Sequence, residues 1–182
     1  MAGTLTVQNL QGPSSGANAN TVLIPSGQTL YAPGHVLQVV QAASTTELQT
    51  TTAATWLDVG AVLTITPTQT SSKIYLSNSA TGIVRATVAL SIGMRLMRNI
   101  NNGGWSLVSQ RARQAYYGSN LNDYTQIHYG YEYLDSPNTT QAIQYKVQIN
   151  ASQSTNFRYN TTEAYFSPST TESTLIGQEI AG

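Results

Sequence analysis

"YLDSPNTTQAIQYKVQI" (133–149) joins a polar turn to a run in which every second residue, Ile143, Tyr145, Val147 and Ile149, is apolar. An extended backbone sends successive side chains to opposite faces, so a period of two marks a strand with one face buried. Asp135, Ser136, Pro137 and Asn138 supply the turn chemistry in front of it. The same alternation recurs on both sides. "WLDVGAVLTITP" (56–67) places Leu57, Val59, Ala61, Leu63 and Ile65 on one face and is stopped by Pro67. "SKIYLSN" (72–78) points Ile74 and Leu76 inward, and "DYTQIHYGYEYLD" (123–135) puts Ile127, Tyr129, Tyr131 and Tyr133 together.

The longest run has Val84, Ala86, Val88, Leu90, Ile92, Met94 and Leu96 on one side, with Arg85, Thr87, Ser91, Gly93 and Arg95 on the other. Helical spacing of three and four is excluded there. One continuous strand of that length would reach about 43 Å at roughly 3.3 Å per residue, so a bend or bulge is expected near Gly93. "NINNGG" (99–104) follows, rich in residues that tolerate left-handed backbone, and "WSLVSQRARQ" (105–114) returns as the hairpin partner. "FRYN" (157–160) and "STLIGQEIA" (173–181) complete about eight strands after residue 55, with no stretch that reads as a helix. Closely spaced antiparallel strands in that number predict an all-β fold, an antiparallel β-sandwich of jelly-roll type.

Before residue 56 the pieces are shorter. "TLTVQNL", "TVLIP" and "GHVLQVVQ" are extended segments separated by the Gly/Ser/Asn/Pro stretch "QGPSSGANAN" (11–20), which has little to bury. The reading is an extended N-terminal β arm over 1–41, a polar linker over 42–55 and the sandwich domain over 56–182.

Composition narrows the function. Eight Lys and Arg balance eight Asp and Glu, and charged residues make up only 9% of the 182-residue chain, against roughly 25% in an average soluble domain. A neutral chain lacks the basic footprint of nucleic-acid binding, so no nucleic-acid partner is expected. "GIVRATVALSIGMRLMRN" (82–99) is interrupted by Arg85, Arg95 and Arg98 and is too broken for a spanning helix, so no membrane insertion is expected. No secretory signal is expected from "MAGTLTVQNLQG". The absence of cysteine removes disulfides and thiolate chemistry.

Neither histidine stands in a catalytic pattern. His35 follows "APG" and His128 lies on the polar face of a tyrosine-rich strand, outside any G-x-S-x-G or H-E-x-x-H context. No metal-ligand spacing is present either, so no metal site, cofactor or catalytic residue is assigned. Asp123, Glu132 and Asp135 are the one set of carboxylates open to a glycoside-cleavage reading, with Asp135 better read as a turn-former.

Six of eleven tyrosines fall within residues 116–133. Tyr129, Tyr131 and Tyr133 share a face with Ile127 and are read as core or trimer-interface residues; Tyr116, Tyr117 and Tyr124, around "YYGSNLNDY", are the candidate exposed contacts. Between Asp58 and Asp123 there are no acids but six cations: Lys73, Arg85, Arg95, Arg98, Arg111 and Arg113. Arg95, Arg111 and Arg113 are expected to pair with acids of a neighbouring strand or subunit, which makes them candidate interface residues. The alternative is a site for sulfated or acidic glycan. The N-x-[ST] matches at Asn138, Asn150 and Asn160 are expected by chance in so Asn/Thr-rich a chain.

"MAGTLTVQNLQGPSSGANANTVLIPSGQTL", "TWLDVGAVLTITPTQTSSKIYLSNSATG", "GMRLMRN" and "YLDSPNTTQAIQYKVQI", in that order, resemble short, tail-fibre-like virion structural proteins of marine tailed bacteriophages. The resemblance covers most of the chain and is weakest at 114–122 and 150–172. In pattern alone, the C-terminal part also resembles the trimeric jelly rolls of the tumour-necrosis-factor and complement-head kind, with "STLIGQEIA" built into the sheet. The resemblance implies a non-enzymatic particle component on the virion surface, at tail or capsid, assembled in the host cytoplasm. Its expected partners are two further copies of itself in a homotrimer, other virion proteins through residues 1–41, and a host surface glycan. A head-decoration protein is the alternative, and a glycan-binding or glycan-cleaving fibre domain the remote one.

Overall fold

In the computed structural model, Val59, Ala61, Leu63 and Ile65 are buried while the residues between them are exposed, as the alternation requires. The structure describes the backbone outside residues 1–10, 18, 20, 29, 31, 51, 86–89, 117–124, 153–155 and 161–170; side chains at 50, 83–85, 90, 112–116, 125–127 and 156–157 are also outside the described set. All the regular structure in the described residues is β: β1 (Val36–Ser44), β2 (Leu48–Thr50), β3 (Leu57–Ile65), β4 (Lys73–Arg85), β5 (Leu90–Ile100), β6 (Trp105–Tyr116), β7 (Thr125–Asp135), β8 (Ile143–Ala151), β9 (Asn156–Tyr159) and β10 (Ser173–Ile180).

The strands form two antiparallel sheets. One has six strands, with β4 as its spine: β7 runs along one side, while β10 and then β9 share the other, β10 continuing to β1 and β9 to β2. The second sheet is ordered β3-β8-β5-β6. Their inner faces meet in a core built from Leu63, Ile65, Ile74, Leu76, Leu96, Ile143, Tyr145, Val147, Ile149 and Leu175, each at most 2% exposed. This is the sandwich expected from the pattern. The C-terminal strand lies inside its sheet, between β1 and β4.

Two local features follow from glycine. Gly60, at φ 87°, sits where the β3–β8 register slips between Asp58 and Val62. Gly177 of β10 faces Leu63 so closely that an added Cβ would stand 2.9 Å from Cδ2, so a side chain there would displace the Leu63 methyls. The hairpin β5–β6 turns through Asn101 and Asn102 at positive φ, and its ladder shifts register between Ile92 and Met94, the bulge expected around Gly93.

Three expectations are corrected. The alternation over 84–96 is not one strand: β4 ends at Arg85 in the first sheet and β5 begins at Leu90 in the second, because period two marks a buried face without saying which sheet owns it. The segment assigned to arm and linker contains β1, paired with β10 over its length, and β2, paired with β9, so the sandwich starts well before residue 56. Asp135 is the last residue of β7 rather than a free turn-former, and it is buried. The chain divides into two compact units, Met1–Ala32 and Pro33–Gly182. The described part of the first unit has tight turns, Ala19 N donating to Gly16 O and Gln28 N to Pro25 O, around an extended run that leaves Val22, Leu23, Ile24 and Leu30 exposed.

Candidate functional site

Among the described residues, β7 ends the first sheet and β6 the second, and Arg111 bridges the two strands on one flank of the sandwich. An unpaired strand edge presents polar backbone groups alternately outward. Arg111 of β6 crosses this flank: one Nη donates to the carbonyl oxygen of Glu132 in β7, and the guanidinium lies 5.1 Å from the centre of the Tyr131 ring. Beside it is a cavity of about 140 Å³ lined by Ile92 and Met94 from β5, Arg111 from β6, and His128, Tyr129, Gly130 and Tyr131 from β7. His128 is exposed and its Nε2 is 3.1 Å from Ser79 Oγ. That pair is not oriented by a carboxylate in the described residues, and no three described His, Asp or Glu side chains gather as metal ligands.

Four residues further along both strands the flank is clamped. Arg98 Nη1 of β5 donates to both oxygens of Asp135, at 3.0 and 2.8 Å, and Tyr145 of β8 donates its hydroxyl to Oδ2 at 2.6 Å. Burial, and then the hydrogen bond to Asp135, push the Tyr145 hydroxyl far above its ordinary range, so it remains a neutral donor. This clamp ties the first sheet to the second.

The outer face of the second sheet carries a separate chain of contacts. Lys146 Nζ and Gln148 Nε2 donate to Asp58 at 2.8 and 2.5 Å, and Arg95 Nε donates to Gln148 Oε1 at 2.7 Å. Arg95 covers Trp56 at 4.3 Å and Lys146 covers Trp105 at 4.2 Å. On the opposite flank, Glu179 of β10 is fully buried and accepts from Gln38 Nε2 of β1 at 2.6 Å and from Thr68 N and Oγ1 at 2.7 Å each. Burial raises its carboxyl pKa, but the donors from Gln38, Ser72 and Thr68 outweigh that, and the net shift is downward.

The sequence candidates therefore separate. Tyr129 and Tyr131 are 3% and 1% exposed inside their own chain, so they have no surface left for another subunit; of the two readings, core is where they lie, and Tyr133 packs partly buried against the same core. Arg98, which is not among the candidates, is neutralised by Asp135. Arg95 is held by an amide and an indole instead of an acid. Arg111 has no described carboxylate within ion-pair distance. Tyr117, Tyr124 and Asp123, and the side chains of Tyr116 and Arg113, lie outside the described residues. Glu132 is exposed. Asn160, one of the chance glycosylation matches, is wholly buried, and its amide donates to Ser44 O and Thr46 O where β1 gives way to β2. Sequence alone had no signal for the Glu179 network or for the cavity, because both depend on which strands become neighbours.

No protein-family model matches the chain, and no curated protein does. Among solved structures it is similar to a structure of infectious bursal disease virus Gt strain, with a TM-score of 0.43 and 15% identity over 94% of this chain and 43% of that one. The Gx strain structure gives 0.43 and 14% over 94% and 43%. The VP2 subviral particle of the same virus gives 0.36 and 14% over 94% and 42%. The chain thus spans less than half the length of these structures' chains, and its architecture stands on its own ladders and core.

Proposed function

We propose that this chain is a non-enzymatic structural protein of a bacteriophage particle, a homotrimeric, tail-fibre-like surface protein that contributes to host attachment. The observation that carries the reading is the separate unit Met1–Ala32, whose Val22, Leu23, Ile24 and Leu30 remain 43–60% exposed. Exposed aliphatic residues concentrated on a short segment suit a surface that is covered on assembly. The sequence resemblance supports the same reading. Attachment would be multivalent: weak contacts repeated over three chains and many fibres raise the effective affinity.

Light scattering of the full chain at micromolar concentration is expected to give three times the 19.5 kDa chain mass; a clean monomer mass sinks the trimer. Electron microscopy of intact particles then places the copies. Density at the tail supports attachment, whereas copies laid over the capsid with 1–32 along the shell make the protein a head decoration.

A further inference from the structure

We propose that the cavity between β6 and β7 binds one carboxylated sugar ring, a uronic-acid-type residue of a glycan, with Arg111 as the carboxylate clamp. The proposal takes its biological use from the attachment reading, and its chemistry from the cavity itself.

The anion follows from Arg111. Its guanidinium is set in place by the Tyr131 ring and the Glu132 carbonyl, yet no described carboxylate neutralises it. The Glu132 side chain is turned to Tyr75 on the outer face of the first sheet and does not serve. A guanidinium has five N–H donors, so the one bond to Glu132 leaves a fork for a planar anion. Because the group is already held, little side-chain freedom is lost on binding.

The sugar follows from the rest of the lining. Ring hydroxyls need donors and acceptors side by side. The Glu132 carbonyl faces away from β4, and in an antiparallel ladder the backbone groups two and four residues earlier face the same way. That places the N–H and C=O of Gly130 and His128 on the cavity's edge, while the His128 imidazole stands with Ser79 on the outer face. Ile92 and Met94 offer an apolar wall for the C–H face of a ring. The volume of about 140 Å³ is well below the roughly 300–1,000 Å³ of pockets for drug-sized ligands, so it suits a single ring and is too small for a long acyl chain.

The test uses the full-length chain titrated with glucuronate, with glucose and acetate as parallel arms, followed by calorimetry and by the His128 imidazole resonances. Glucuronate is expected to saturate with a Kd of about 1 mM, with glucose and acetate each at least about tenfold weaker. Arg111→Gln is expected to weaken glucuronate by about tenfold or more, with Arg111→Lys recovering only part of it, since an ammonium cannot reproduce the fork; thermal unfolding stays unchanged in both. Equal binding by Arg111→Gln, equal binding of acetate and glucuronate, or no saturation overturns the proposal. Particles carrying Arg111→Gln separate this from the attachment reading. If they display the protein and adsorb normally, the pocket proposal fails and attachment stands; if the wild-type chain is absent from particles, attachment fails whatever the cavity binds.

Discussion

The two flanks of the sandwich are closed in different ways. On the β1/β3 side a buried carboxylate does the joining: Glu179 gathers Gln38 from β1 and Thr68 from just beyond β3, and Gln38 reaches on to the Thr66 carbonyl at 2.7 Å. On the β6/β7 side the sheets are clamped at one end by Arg98, Asp135 and Tyr145, and further along they part around a cavity crossed by Arg111. A charge whose hydrogen bonds are all made inside the fold serves stability. A charge held in place with no described carboxylate beside it is what the proposed ligand would use.

That contrast can be broken first at the clamp. Asp135→Ala removes the partner of a mostly buried Arg98 and of the Tyr145 hydroxyl, and breaking a buried pair costs about 3 kcal/mol or more. Urea unfolding should show the loss with an unchanged slope; a loss below about 1 kcal/mol would mean the clamp is solvated in solution.

Glu179 is expected to come next. Replacement by Ala removes the acceptor shared by Gln38 Nε2 and by Thr68 N and Oγ1; Gln38 keeps the Thr66 carbonyl and Thr68 is exposed, so the expected loss is that of hydrogen bonds to a charged acceptor, about 1.5–3 kcal/mol in all. Its pKa is depressed in the folded state, so its contribution is fully present above the ordinary carboxylate value of 4.5 and is lost as pH falls through the lower folded value. Stability measured against pH should fall in that acid window for the wild type and fall less for Glu179→Gln. Parallel curves would place the acid sensitivity elsewhere.

The smallest effect belongs to the outer face of the second sheet. Asp58 is half exposed in its pair with Lys146, so Asp58→Ala is expected to cost about 0.5–1 kcal/mol. The two tryptophans flank this network, and their fluorescence should shift as Lys146 and Gln148 reorient. An unchanged spectrum would mean the contacts are not maintained in solution.

Much of this was legible one strand at a time. Val59 to Ile65, Ile74 and Leu76, and Ile143 to Ile149 are buried as their alternation required, and Asn101 and Asn102 turn the β5–β6 hairpin as their residue types suggested. The Arg residues were not separable in the same way. Arg95, Arg98 and Arg111 look alike in the sequence, yet one lies on an indole, one is neutralised by Asp135 and one stands beside a cavity.

The sequence by itself determined that this chain is an all-β sandwich of low charge, and which face of each strand is buried, because period-two hydrophobicity is a local property of extended backbone. Tertiary structure alone decided that β4 and β5 belong to different sheets, that β1 lies in the sandwich rather than in an arm, and that a cavity lies beside Arg111 between β6 and β7. Those outcomes depend on pairings between residues as far apart as Gln38 and Glu179, and alternation carries no record of which strand will be the neighbour.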